Sequence, residues 1–161
     1  PRSFPSLPKF VQSLSHSIFS SSGSLKWETT PETNTERMFQ INFLSNAILS
    51  IRLLPLLRAT AQTPGIQPHP TTVGSRALTG YTFNKYPVPE TTSLSAFLND
   101  PARFHMIRYP DSKLLVSLWV HALAKGIDSS VIILNSCRPG MVEADMSHQP
   151  GLVRNIFYTF Y

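Results

Sequence analysis

Cysteine is almost missing: Cys137 stands alone in 161 residues, which excludes an intramolecular disulfide framework. A lone thiol fits a reducing compartment, and its ordinary role is that of a small buried residue beside a loop. Charge is also scarce. Asp, Glu, Lys and Arg make up 14% of the chain, against about 25% in an average soluble domain, so some of its surface is expected to be covered by a partner or by further chain. The net charge of +5 reflects few acids, 9 against 14 bases, and the bases are scattered singly. That pattern argues against nucleic-acid binding. The best apolar run is interrupted by Asn46, Ser50, Arg52 and Arg58, short of the roughly 18 residues of a membrane span, and no transmembrane segment is expected. The five histidines, His16, His69, His105, His121 and His148, form no ligand spacing with one another or with Cys137, so no metal site is expected. No Gly-x-Ser-x-Gly elbow supports a hydrolase.

What is abundant is proline, with 14 residues gathered at the start and between residues 64 and 110, where irregular structure is expected. The length suits one domain with a core. Residues 1–27 are rich in serine and free of Asp and Glu; too poor in arginine for a transit peptide, they read as a disordered or misjoined leader to a domain over 28–161. Thr33 and Glu36 have capping-box spacing. Met38, Ile41, Leu44, Ile48, Ile51 and Leu54 then recur at helical spacing and predict a buried stripe that encloses the polar Asn42. Thr71-Thr72-Val73 predicts a short strand ending at Gly74-Ser75, and Asp100-Pro101 predicts a helix start. A second long helix is expected to tolerate Pro110 in its first turn and to stop at Gly126 after Lys125. Val131-Ile132-Ile133-Leu134-Asn135 predicts a strand covered on both faces. Helix, glycine and strand in this order make half of a parallel α/β unit.

Chemistry enters with Tyr109-Pro110-Asp111-Ser112-Lys113. A tyrosine and a lysine four apart share one face of a helix, so the ammonium favours the anionic phenol and draws its pKa below the reference of about 10. Such a tyrosine is able to exchange protons.

Taken with Asn42 and Ser75 before it and Asn135-Ser136-Cys137-Arg138-Pro139-Gly140-Met141-Val142 after it, this motif resembles the catalytic half of a short-chain dehydrogenase/reductase, over residues 27–146. The long interval between Ser75 and Tyr109 is similar to the retinol-dehydrogenase-like branch, and Leu94-Ser95-Ala96-Phe97-Leu98-Asn99-Asp100-Pro101 resembles its fungal members. The resemblance implies a partial Rossmann-like α/β fold, a small parallel sheet flanked by helices and lacking the N-terminal cofactor-binding half. It implies Tyr109 as general acid or base, Ser75 polarising the substrate carbonyl, and Lys113 tuning Tyr109 and binding the nicotinamide ribose. Asn42 would hold a water that relays protons to Lys113, Pro139 and Gly140 would pass beneath the nicotinamide, and Val142 would contact its carboxamide through the backbone. Ser45 and Ala144 depart from the glycine and threonine common at their positions. The implied activity is NAD(P)-dependent carbonyl reduction or alcohol oxidation in the cytoplasm, in fungal secondary metabolism, on a small-molecule substrate with NADP preferred over NAD. No glycine-rich strand-to-helix turn occurs in the chain, so a pyrophosphate cradle is missing. Weak dinucleotide binding by the chain alone is therefore expected, and a catalytically inactive remnant or interaction protein is the alternative.

Overall fold

The computed structural model describes residues 18–19, 27–104 and 108–138. Three short parallel strands form the sheet: β1 (Ile18–Phe19), β2 (Thr71–Val73) and β3 (Asn135–Cys137), with β2 in the middle. Ile18 pairs with Thr71 on one side of β2, and Thr71, Thr72 and Val73 pair with Asn135, Ser136 and Cys137 on the other. Two described residues of the stretch read as a leader thus belong to the sheet.

The strand expected over residues 131–135 lies further along the chain. Val131 and Ile132 donate to Asp128 O in a turn, while Ile133 and Asn135 donate to the carbonyls of Pro68 and Pro70. Those prolines have no N–H to return, so pairing is one-sided until Thr71 is reached. Regular strand begins there.

The first long helical segment opens with α1 (Arg37–Phe39), passes through a π-helical turn (Gln40–Leu44) and continues as α2 (Ser45–Ala61). Its cap is Glu36, whose carboxylate accepts from Met38 N at 2.9 Å and Phe39 N at 2.7 Å. Thr33, the expected cap, instead donates to Gln40 Oε1 at 3.1 Å. The expected stripe also changes phase. Met38 is buried, but Ile48 and Ile51 are 55% and 50% exposed, and the covered positions of α2 are Ala47, Ser50, Leu57 and Thr60. A π turn holds one residue more than an α turn and rotates everything after it by about 100°. A period read straight through from Met38 therefore points its later members outward.

Taken as one segment from Arg37 to Ala61, it is by length and composition apolar enough to cross a membrane, a property that core helices share. Its inner face is nonetheless packed within the protein: Trp119 Nε1 of α4 (Arg108–Lys125) donates to Ser50 Oγ at 3.0 Å. Residues of α2 and α4 line one apolar cleft together with Thr72 of β2 and Leu134, so both helices lie over the same face of β2.

Between β2 and α4 come a 3₁₀ turn (Arg76–Gly80), α3 (Leu94–Leu98) and a second 3₁₀ turn (Pro101–Arg103). Asp100 caps the last of these, accepting from Ala102 N at 2.9 Å, with Pro101 at its first position as expected. Phe97 and Leu98 of α3 close the core against Phe39 and Leu115. Pro110 lies in the first turn of α4, and the helix ends at Lys125, before Gly126.

The phase shift has a direct test in urea unfolding. Leu57→Ala, at a position 3% exposed, should cost about 2–5 kcal/mol. Ile51→Ala should cost less than about 1 kcal/mol; equal losses at the two sites would mean that the straight-through period is right.

Candidate active site

The first turn of α4 is the centre of the site because its polar side chains are buried rather than solvated. Arg108, Asp111, Ser112 and Lys113 are each 1–2% exposed, while Tyr109 is half-buried. Buried polar groups need partners, and here the partners come from different parts of the chain.

Lys113 Nζ donates to the carbonyl of Val73, the last residue of β2, at 2.8 Å. The same nitrogen lies 5.5 Å from the centroid of the Tyr109 ring, a distance at which a cation is attracted by an aromatic face. Burial pushes the Lys113 ammonium down from 10.5 to about 8, a fall that the thiol of Cys137 opposes when it is charged. Ser75, two residues beyond Val73, is buried in extended conformation and accepts from Ala77 N at 3.2 Å as the cap of the Arg76–Gly80 turn. That turn packs against α4.

Asn42 lies on the π turn, fully buried. Its Nδ2 donates to Ser112 Oγ at 2.9 Å, and Ser112 Oγ donates in turn to Tyr109 O at 2.8 Å. The widened turn leaves carbonyls to be satisfied, and Asn46 Nδ2 donates to both Ile41 O and Asn42 O. A π turn inside an α-helix is frequently found at a functional site.

Hydrogen bonds thus link Asn42 to α4 through Ser112, and Lys113 to Val73 at the carboxyl end of β2, two residues before Ser75; open parallel sheets bind ligands at that end. Pro139, Gly140 and Val142 lie outside the described residues. Among the described residues no group of His, Cys, Asp and Glu is arranged to hold a metal ion.

Sequence reasoning passed over Asp111, Ser112 and Arg108. Asp111 Oδ1 and Oδ2 accept from Thr82 N at 2.6 Å and Thr82 Oγ1 at 2.7 Å. Arg108 Nη2 donates to Arg103 O at 3.0 Å; burial lowers its pKa, against the attraction of Asp111 and then Glu36. The available signal was three polar residues in the opening turn of a helix that must pack against a core.

A parallel sheet covered by helices, with a Tyr–Lys helix against the exit of its middle strand, defines a Rossmann-type α/β protein. Solved structures agree: RhlG of Pseudomonas aeruginosa, determined as an NADP active-site complex, superposes with a TM-score of 0.51 at 16% identity, over 94% of this chain and 62% of that one. No family model matches the chain. Among curated proteins, the short-chain dehydrogenase/reductase tropG of Talaromyces stipitatus is 37% identical over 126 residues, 78% of this chain and 38% of that protein. The short chain dehydrogenase yanD of Aspergillus niger is 34% identical over 137 residues, 83% of this chain and 41% of that protein. The chain belongs to the short-chain dehydrogenase/reductases. It spans roughly two fifths of the length of these relatives.

The buried lysine makes a pH-dependent signature. Its folded pKa of about 8 lies below the ordinary 10.5, so between these values the unfolded chain binds more protons and the residue's contribution to stability rises with pH. Below pH 8 the cost of burying the ammonium is fully present. The stability of the native protein relative to Lys113→Met should therefore increase by about 3 kcal/mol between pH 8 and 10.5, read from urea unfolding at a series of pH values.

Proposed function

We propose that Asn42, Ser75, Tyr109 and Lys113 form the acid–base site of an NAD(P)-dependent oxidoreductase that interconverts a carbonyl and an alcohol on a small molecule. The observation that carries this reading is the 2.8 Å bond from Lys113 Nζ to Val73 O, which ties the Tyr109 helix to the strand end that leads into Ser75. Tyr109 is the proton donor to the carbonyl oxygen in reduction and the acceptor from the alcohol in oxidation. Below about pH 8 Lys113 is charged, and its ammonium stabilises the phenolate form of Tyr109, which reduction leaves behind and oxidation starts from. Ser75 orients the carbonyl by donating a hydrogen bond to its oxygen. Asn42 holds the π turn against α4 through Ser112, which in turn donates to the carbonyl of Tyr109.

A nicotinamide dinucleotide supplies the hydride when bound. The residues described here fit one end of it. Lys113 carries three N–H donors, of which one is directed to Val73 O, leaving two for ribose hydroxyls. The amine is also covered by the protein itself, at 1% exposure, so a ribose reaches it only when that cover parts. No glycine-rich turn provides a cradle for the phosphates. Preference for NADP over NAD and a place in fungal secondary metabolism are the finer parts of the proposal, supported by the NADP complex of RhlG and by the fungal origin of the relatives.

Titration of the chain with NADPH and with NADH by calorimetry should give weak binding or none. When a glycine-rich strand and helix from one of the fungal relatives is joined ahead of residue 28, binding should appear, with turnover of a test carbonyl. In that fusion Tyr109→Phe should lower kcat by about 10²-fold or more and leave NADPH affinity nearly unchanged, whereas Lys113→Ala should lower both. Full turnover by Tyr109→Phe would reject the assignment in favour of a non-catalytic interaction protein.

A further inference from the structure

The carboxylate of Asp111 is 1% exposed and Thr82 is 6% exposed. They meet through two short bonds, 2.6 Å to the main-chain nitrogen and 2.7 Å to the side-chain hydroxyl. Two bonds to one residue fix its orientation as well as its position. A charged acceptor strengthens each of them in surroundings shielded from water. Asp111 is in the first turn of α4, where the helix dipole favours negative charge, and Arg108 and Asp111 attract each other electrostatically.

A run of turn bonds that starts at Ser75 reaches Tyr81, the residue before Thr82. Ser75 caps the Arg76–Gly80 turn, Leu78 N donates to Ser75 O at 3.4 Å, and Tyr81 N donates to Leu78 O at 3.3 Å. Thr82 O then accepts from Lys85 N and Tyr86 N at 2.9 and 2.8 Å, beginning the next turn. The segment carrying Ser75 is held at its start by β2 and at its end by Asp111, two residues after Tyr109. The neighbouring Ser112 does the same for the segment carrying Asn42.

We propose that Asp111 is a positioning residue, which by clamping Thr82 to the first turn of α4 sets Ser75 against Tyr109. Its meaning for turnover rests on the acid–base reading above, but the clamp itself is a statement about geometry. Asp111 touches neither substrate nor cofactor in this role. It acts through the short turn between Thr82 and Ser75.

The test places fluorotyrosine at position 109 of the native chain and reads its environment by fluorine NMR. Ser75→Ala should move the resonance. In Thr82→Val, which keeps the side-chain shape but loses the hydroxyl, the movement caused by Ser75→Ala should fall roughly threefold or more, as expected for coupled neighbours. Thr82→Ser should restore it, and Asp111→Ala should abolish it with the circular-dichroism spectrum unchanged. Should Asp111→Ala fail to fold, the Thr82→Val and Thr82→Ser pair still decides. An undiminished Ser75→Ala effect in Thr82→Val overturns the clamp alone. A resonance that ignores Ser75→Ala in the native background overturns both the clamp and the acid–base reading.

Discussion

Burying the lysine of the Tyr–Lys helix is the constraint around which the rest is arranged. An ammonium removed from water is costly unless something replaces its hydration, and here the Val73 carbonyl does so at 2.8 Å. That carbonyl is free to accept because Val73 is the last residue of β2, where the ladder is ending. The bond works in both directions. It compensates the amine, and it fixes the axial position of α4 relative to the sheet.

Three other buried polar residues at the start of α4 repeat this logic with different partners. Ser112 bonds Asn42 on the π turn, Asp111 bonds Thr82 after the Ser75 turn, and Arg108 bonds Arg103 O at the end of the second 3₁₀ turn. Four residues of one helix thereby gather segments that lie 70, 29, 5 and 40 positions away. Burial makes these bonds hard to exchange for water, so the turn is held as a unit. The cost is a set of groups whose protonation is displaced from ordinary values, Lys113 to about 8 among them.

The π turn links fold and site in a single feature. Its extra residue changes which face of α2 is covered, exposing Ile48 and Ile51 and burying Ser50 and Leu57. The same turn presents Asn42 to Ser112 and leaves carbonyls that Asn46 satisfies. Hydrogen bonds from side chains hold the irregularity open, so it belongs to the packing between the two helices rather than to helix propensity.

The sequence by itself determined the element types around the site: the strand Thr71–Val73, the helix opening that tolerates Pro110 and the stop before Gly126 follow from β-branching, fixed proline geometry and the absence of a glycine Cβ. The spacing of Tyr109 and Lys113 placed both on one helix face, while Asn42 and Ser75 were singled out by the family resemblance. Only tertiary structure decided the start of β3, since the missing N–H groups belong to Pro68 and Pro70, in the segment leading into β2. It alone decided the phase of α2 and the roles of Asp111, Ser112 and Thr82. A hydropathy period assumes one uninterrupted helical repeat, and a polar residue's partner across 29 or 70 positions is set by how elements pack, which local spacing does not encode.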